Sequence, residues 1–301
     1  MDSTNHAFFA PCPRGLEAVL ADELTDLGAA DVKPTAGGVA FHGPLALCYR
    51  VNLQSRIASR ILLRIAEGSY RDEHDVYDAA NAIRWQDWFT PQQRIKVKVS
   101  AHHCPLKSLD FVTLRVKDAV CDRFQFARGK RPTVDTHAPD ILIAVYLDAS
   151  TCTFYVDTSG EPLFKRGWRK SAGEAPIREN LAAGILRLSK WTADTVLYDP
   201  MCGSGTFVIE AALMARRVAP GIGRHFAFEK LLSFDAQRLN DLRTELKAME
   251  VPIKPGLIHA ADDSAHAMTS IKANLTIAGS GDAVTLQQGD EVSRDASDLN
   301  D

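Results

Sequence analysis

The sequence predicts an α/β protein with more than one domain, and three observations support this prediction. The chain has 301 residues, which is longer than a typical single domain. Residues 95–99 alternate between aliphatic side chains and lysines, which is the pattern of a half-buried β-strand. Beyond residue 177 the predicted strands alternate with helices, which is typical of a parallel sheet.

Composition and cysteine spacing exclude several classes of protein. Apolar residues make up 46% and charged residues 24%, so the chain is neither disordered nor fibrous. No apolar run approaches the ~20 residues of a membrane span, and no signal peptide is evident, so we expect a cytoplasmic protein without membrane association. The six cysteines lack metal-site spacing, and His102 and His103 have no second ligand pair, so we expect free thiols and no metal.

The first ninety residues predict short helices and strands in mixed order. Leu16, Leu20 and Leu24 share one face of a helix that ends before Gly28. The further elements predicted here are a hairpin around residues 35–41, a helix over about 44–54 and a strand over 61–65. This order is typical of a small ferredoxin-like unit.

The middle of the chain predicts a second compact α/β unit. The strand at 95–99 precedes a helix in which Val112, Val116 and Phe124 face inward. A basic loop then leads into two strands joined by a tight turn; these elements cover residues 128–132, 141–147 and 151–157. Glycines and prolines interrupt any periodicity in the next segment, which we interpret as a basic interdomain linker.

The remaining residues predict part of a parallel sheet. The predicted helices cover about 177–190, 204–217 and 264–278, and the strands cover 195–198, 256–261 and 283–287. A helical excursion over about 218–250 separates the first strand from the second. Ligands bind at the carboxyl ends of the strands in such sheets.

The charge is distributed unevenly along the chain. Residues 91–170 carry 14 basic and 8 acidic side chains, a net charge of +6. The segments before and after them have net charges of −4 and −5. A basic middle between acidic flanks is typical of a polyanion-binding surface, although charge alone leaves a solvated charged face as the alternative.

The string Asp199–Thr206 (DPMCGSGT) lies between a predicted strand and a predicted helix. Its glycines allow the backbone to approach a ligand closely. Thr206 stands where a phosphate-binding P-loop requires lysine, and Val208 stands where a dinucleotide fingerprint requires its third glycine. Phosphate cradling and NAD binding are therefore disfavoured, and a glycine turn without a ligand stays an alternative.

Several strings in order resemble the THUMP-domain class I methyltransferases. DPMCGSGT is preceded by RGWR at 166–169 and by GEAPIRENLAA at 173–183. Upstream, RVKDAV at 115–120 and APDI at 138–141 are similar to the THUMP portion of that family. The similarity is greatest to the bacterial group that methylates N2 of guanine in large-subunit (23S) ribosomal RNA.

The resemblance implies a ferredoxin-like unit, a THUMP unit and part of a Rossmann-like class I methyltransferase sheet. The domains expected are a ferredoxin-like part at 1–44, a THUMP RNA-binding domain at 45–158, the linker at 159–176 and the methyltransferase domain at 177–301. The partner implied is ribosomal RNA, and the cofactor is S-adenosylmethionine.

The resemblance also implies which residues surround the methyl donor. Asp199, Gly203, Gly205 and Thr206 match the family's first motif, and the same loop contains Met201, Cys202 and Ser204. Asp262 matches the acid that accepts the ribose hydroxyls, with Asp263 as the alternative, and Asp290 matches the position beside the adenine amine. Glu179 and Asn180 match a stretch near the amino-acid end of the donor, with a solvated helix face as the alternative.

The RNA would be held by cationic side chains of the middle segment and the linker. We expect these to contact phosphates and to give affinity and salt dependence rather than sequence specificity. The target guanine has to be unpaired or flipped out to present its amine. The candidates are Arg115, Lys117, Arg128, Lys130, Arg131, Lys165, Arg166 and Arg169.

One expected motif is absent from the sequence. Family members that methylate an exocyclic amine carry Asn-Pro-Pro-aromatic after the fourth strand, and no asparagine here precedes Pro-Pro. The catalytic residues are therefore unknown, and we expect residues 196–198 to form an unpaired apolar strand edge and this chain alone to be inactive. The alternatives are an RNA-binding fragment without catalysis and a transfer-RNA guanine-N2 methyltransferase.

Overall fold

The computed structural model describes residues 5–170 and 176–289, and its first part is built on a seven-stranded sheet. The elements of this part are β1 (His6–Pro11), α1 (Glu17–Asp26), β2 (Ala30–Thr35), β3 (Gly38–Gly43), α2 (Leu47–Gln54), β4 (Leu62–Ser69), α3 (Glu73–Ala82), β5 (Ile95–Ala101), α4 (Leu109–Arg128), β6 (Ile141–Leu147) and β7 (Thr151–Asp157). The strand order is β2-β3-β1-β4-β7-β6-β5. Only β5 and β6 pair in parallel; the other pairs are antiparallel.

Strand β4 joins the two halves of this sheet. It pairs with β1 on one side and along its full length with β7 on the other, from Leu62 opposite Asp157 to Ser69 opposite Thr151. The sequence predicts two separate compact units here, whereas the structure forms one hydrogen-bonded sheet. The physical reason is that β4 continues four residues past the predicted strand at 61–65, which gives β7 a partner.

Local capping explains where the helices begin and end. The Asp72 side chain accepts hydrogen bonds from the amides of His74 and Asp75, which starts α3, a helix that sequence reasoning missed. Ser108 caps α4 by accepting from the Phe111 amide at 3.2 Å. Gly129 ends α4 in the left-handed conformation, with φ of +67°.

The second part contains a three-stranded parallel sheet in the order β10-β9-β8. Its elements are α5 (Glu179–Leu188), β8 (Leu197–Asp199), α6 (Thr206–Ala215), α7 (Ala236–Ala248), β9 (Ile258–Asp262), α8 (Ala265–Ala278) and β10 (Thr285–Gln288). Among the described strands β8 pairs only with β9, and Val196 beside it is 53% exposed. β8 is therefore an edge strand of the sheet that the structure describes.

Two hydrophobic cores lie under these sheets. The first lies between the N-terminal sheet and the helices that pack against it, and it includes the fully buried Trp85, Phe124 and Phe154. The second packs α6 and α8 against β9 and includes Val208 and Ile271. Helices α5 and α1 meet where the two parts join, and a Cβ on Gly184 would lie 2.2 Å from Leu16 Cδ1. The parts therefore pack closely at this point.

A buried ionic cluster connects the two parts. Glu210 on α6 is fully buried, and its carboxylate lies 3.3 Å from Arg166 Nε and 3.6 Å from Arg56 Nη1. Arg56 also donates through its backbone amide to Glu23 of α1. The segment predicted as a linker is thus bound on both sides: Arg166 donates to the Arg56 carbonyl at 2.6 Å as well as to Glu210.

Candidate functional site

The glycine loop between β8 and α6 is fixed by the neighbouring strand. The Cys202 amide donates to the Ala261 carbonyl at 2.9 Å, and the Gly203 amide donates to Asp262 Oδ2 at 2.8 Å. Asp199 ends β8 and Asp262 ends β9, so both carboxylates lie at the carboxyl edge of the parallel sheet. The structure therefore brings the two predicted acids to the same loop.

The two glycines of the loop are required for different structural reasons. Both have positive φ, +53° at Gly203 and +83° at Gly205. A Cβ on Gly205 would lie 2.5 Å from Ile271 Cγ1, so this glycine is required for packing against α8 rather than for approach to a ligand. No atom of the described residues lies within 4 Å of a Cβ on Gly203, so space for a ligand is left there.

The charge of Asp262 contributes to the environment of Asp199. Burial and the nearby charge of Asp262 raise the pKa of Asp199. Asp262 is fixed in orientation, because its Oδ1 accepts from the Ser264 amide at 3.0 Å while Oδ2 accepts from Gly203. The Asp263 side chain is exposed, which favours Asp262 as the inward acid. Asp290 lies outside the described residues.

A cavity of about 430 Å³ opens above this loop. It is lined by Pro176, Ile177, Phe207, Thr206 and the loop residues 199–204. Met201 is 75% exposed, whereas Cys202 is buried. Burial and the charges of Asp199 and Asp262 raise the pKa of the Cys202 thiol to about 12, so the thiol is protonated at neutral pH.

Arg169, in the segment predicted as a linker, is bonded to the glycine loop. Its guanidinium donates to Ser204 Oγ at 3.0 Å and to Thr206 Oγ1 at 2.9 Å. It also donates to Glu179 Oε1 at 2.9 Å and to the Ile177 carbonyl at 3.1 Å. Glu179 is therefore a buried partner of Arg169 beside the cavity and not part of a solvated helix face.

The amide nitrogen of Asn180 is bonded to the N-terminal part. Its amide group donates to the Ile57 carbonyl and the Ser59 hydroxyl, both at 3.1 Å, in the N-terminal part. The residue is fully buried, so the alternative of a solvated helix face is wrong for Asn180 as well. Its side chain connects α5 to the N-terminal part instead of lining the donor cavity.

The predicted phosphate contacts on the N-terminal part differ in whether their charge is already paired. Arg128 and Lys130 are exposed, and neither has an ion-pair partner among the residues that the structure describes. Lys117 and Arg131 are paired with Asp118 and Asp122, respectively. Arg115 lies over the ring of Tyr77, 4.3 Å from its centroid, and stays partly exposed.

The three RNA contacts predicted in residues 159–176, the segment predicted as a linker, differ in how exposed they are. Lys165 is 60% exposed and lies 2.6 Å from Glu161. The Arg166 side chain is only 2% exposed because it is held in the buried cluster with Glu210. Arg169 is 16% exposed and its donors are used at the glycine loop. We therefore leave Arg166 and Arg169 out of the proposed surface contacts with RNA.

Sequence reasoning missed the acids and the arginines that connect the domains. Glu23, Arg56 and Glu210 lie within otherwise ordinary helical or loop sequence, and nothing in their spacing shows that they are buried. Arg224 was also missed; it donates to the carbonyls of Glu161 and Pro162 at 2.7 and 2.8 Å. A faint signal for Glu210 is its position in an apolar helix, where a buried charge needs a partner.

Two classes of site are not seen in the part of the chain that the structure describes. No group of three or more His, Cys, Asp or Glu side chains there is arranged to hold a metal ion. No helix there combines the length and the apolar character that crossing a membrane requires. The six cysteines are all unpaired.

Three family models match this chain in succession. The model of the RlmL ferredoxin-like domain matches residues 7–62, and the model of the THUMP domain matches residues 70–157. The model of the RMKL-like methyltransferase domain matches residues 166–298. Together they cover most of the chain in the order that the sequence strings predict.

Individual proteins show the same relationship. Ribosomal RNA large subunit methyltransferase K/L of Aeromonas salmonicida is 38% identical over 94% of this chain and 40% of its own length. The putative RNA methyltransferase slr0064 of Synechocystis is 36% identical over 90% of this chain and 71% of its own length. The crystal structure of SMU.472, a putative methyltransferase complexed with SAH, superimposes with a TM-score of 0.87 at 28% identity and covers 98% of this chain and 78% of that one.

The chain spans about two fifths of the length of the K/L relative and nearly three quarters of the Synechocystis relative. The ferredoxin-like, THUMP and methyltransferase models follow one another along this chain, and the glycine loop lies at the carboxyl edge of the parallel sheet. The chain therefore belongs to the THUMP-domain class I methyltransferases with an RlmL-like domain arrangement.

Proposed function

We propose that this chain supplies the S-adenosylmethionine site and the RNA-binding surface for methylation of the exocyclic N2 amine of a guanine in large-subunit ribosomal RNA. The relatives named ribosomal RNA large subunit methyltransferase K/L support this substrate. Because the substrate is ribosomal RNA, we also propose that the protein acts in the cytoplasm. The observation that carries the proposal is the pair Asp199 and Asp262 around the glycine loop.

The residues of the cavity fit the proposed donor. The donor supplies a methyl group on a positively charged sulfur. The open side of Gly203 leaves room for the backbone to approach it, and Asp262 retains acceptor capacity on both oxygens for ribose hydroxyls. Among the residues that the structure describes, no lysine or arginine forms an ion pair with Asp199, so its carboxylate suits a positively charged ligand.

The N-terminal part would hold the RNA. Arg128 and Lys130 form an exposed cationic surface at the end of α4. Lys98 on β5 is exposed as well. Such charges bind phosphates without reading bases. The Asn-Pro-Pro-aromatic motif, which in the family contacts the amine, is not in this sequence. Donor binding and RNA binding are therefore the steps that we assign to these 301 residues.

Calorimetry with S-adenosylhomocysteine tests the donor site on this chain directly. We expect binding with one site per chain, and weaker binding by Asp262→Ala, which should stay folded at a lower thermal midpoint because it loses the bonds to Gly203 and Ser264. Lys272→Glu, an exposed charge reversal on α8, is the matched control. An absence of heat at saturating ligand, with a folded protein, would refute the donor assignment.

A further inference from the structure

A second cavity, of about 620 Å³, lies next to the donor loop and shares no lining residue with the donor cavity. Six charged side chains line it, four cationic and two anionic; they are Lys165, Arg166, Arg169, Arg224, Glu161 and Glu179. Arg169 lines this cavity and at the same time hydrogen-bonds Ser204 and Thr206 of the donor cavity. The two cavities are therefore neighbours on either side of one guanidinium group.

The two anions of this cavity are already neutralised. Glu161 lies 2.6 Å from the Lys165 ammonium group, and Glu179 lies 2.9 Å from Arg169 Nε. Arg166 has its own partner in Glu210, which lies outside the lining. One cation of the lining is left over, so the cavity has a positive excess that an anionic ligand would balance.

Arg224 is the cation left over. Among the residues that the structure describes, no carboxylate lies within ion-pair distance of its guanidinium. It donates instead to four backbone carbonyls, those of Glu161, Pro162, Leu163 and Lys165, which fix it in place. Burial, followed by repulsion from Arg166, lowers its pKa to about 10, so it stays charged at neutral pH.

The mouth of the cavity is polar and accessible. The Lys165 side chain is 60% exposed there, and the His225 side chain is 90% exposed. Arg224 uses Nη1 and one hydrogen of Nη2 for the four carbonyls, so its Nε–H and the second Nη2–H are left to donate to phosphate oxygens, and the Lys165 ammonium group adds a point charge. An apolar ligand would leave these charges unsolvated.

We propose that this cavity binds a backbone phosphate of the RNA, with Arg224 and Lys165 as its contacts and His225 at its rim. The proposal rests on the proposed function, because it requires that the polymer reach the donor loop. It adds a fixed phosphate position beside the donor cavity, held by the segment between the two domains. A phosphate bound there would place the adjoining nucleotide next to the donor loop.

Anisotropy with a labelled single-stranded RNA tests this phosphate site. Wild-type protein, Lys165→Glu, His225→Glu and the control Lys272→Glu are titrated between about 50 and 200 mM salt. Both cavity variants should bind several-fold more weakly, and the salt slope should fall by about 0.7 to 1 for Lys165→Glu. The control should retain the wild-type affinity and slope.

Two further readouts separate the possible results. Thermal midpoints show that the variants are folded, and S-adenosylhomocysteine binding should be unchanged because Lys165 and His225 do not line the donor cavity. If wild-type protein binds RNA and the cavity variants match Lys272→Glu, the phosphate site is refuted while the proposed function stands. If wild-type protein binds no RNA, the RNA part of both proposals is refuted. Loss of donor binding by Lys165→Glu would also overturn the phosphate site.

Discussion

The Gly203 amide donates to Asp262 Oδ2 at 2.8 Å, so the loop after the first parallel strand is held by the carboxylate that ends the second. Asp262 also accepts from the Ser264 amide, directly before α8. One side chain thereby fixes the glycine loop, the end of β9 and the start of the next helix. Any ligand above the loop meets a carboxylate whose orientation is already set.

Replacing Asp262 should weaken donor binding strongly. Asp262→Ala removes both the fixed acceptor and the bond to Gly203, and loss of charged hydrogen bonds of this kind costs about 1.5 to 3 kcal/mol. We expect S-adenosylhomocysteine affinity to fall by roughly 10- to 100-fold by calorimetry. Asp263→Ala, at the exposed neighbouring position, is the control. Equal losses in the two variants would contradict the assignment of Asp262.

The two glycines of the loop should respond differently to alanine. Gly205→Ala adds a methyl group 2.5 Å from Ile271 in a left-handed backbone, so we expect the free energy of unfolding to fall by about 2 to 4 kcal/mol. Gly203→Ala carries the backbone penalty alone, about 1 kcal/mol. Urea unfolding measures both. Donor affinity should fall for Gly203→Ala, and equal unfolding energies would refute this division of roles.

Removing Glu210 should destabilise the contact between the two parts. Glu210→Ala leaves the Arg166 and Arg56 guanidinium groups buried without their carboxylate, which costs about 3 to 5 kcal/mol in comparable cases. Denaturant unfolding measures the loss. Asp194→Ala, which breaks an exposed pair with Lys254, is the control and should cost less than ~1 kcal/mol. A similar small loss for both variants would contradict the account of the buried cluster.

The exposed cations after α4 should contribute to RNA affinity. The double variant Arg128→Ala, Lys130→Ala removes two charges that have no ion-pair partner among the described residues. We expect weaker binding of single-stranded RNA and a salt slope lower by about 1.4, or 0.7 for each phosphate contact. Arg131→Ala, whose charge is already paired with Asp122, should change the slope less. An unchanged slope in the double variant would exclude these contacts.

A protein consisting of these 301 residues should bind the donor without transferring its methyl group. The motif that orients the amine toward the donor is absent from the sequence, and correct orientation supplies much of the rate in such reactions. Incubation with radiolabelled donor and ribosomal RNA measures transfer, with calorimetry confirming donor binding in the same sample. Turnover above background would contradict this prediction.

The sequence predicts the elements of the fold well because hydrophobic periodicity is a local property. The strands at 141–147 and 151–157 and the helix α8 follow directly from it. The helix α3 was missed because only Val76 and Ala80 are buried in it, which leaves almost no periodic signal. Its start is set instead by the Asp72 cap.

The site was predictable only in part, because burial of a charge cannot be read from its position in the chain. Arg166, Arg169 and Lys165 lie within five residues of one another, yet the structure buries the first, uses the second at the donor loop and exposes the third. Partners that decide these outcomes, such as Glu210, are remote in sequence. Asp199 and Asp262 were found because a strand end precedes each of them.

The strand β4 determines where the two regions can be divided. It pairs with β7 along its full length but with β1 only at Leu62 and Leu63, so a division between β4 and β7 would leave a long row of backbone amides and carbonyls without partners, whereas a division between β1 and β4 would leave a short one. A transplanted THUMP region should therefore begin before Leu62, so that β7 keeps its partner.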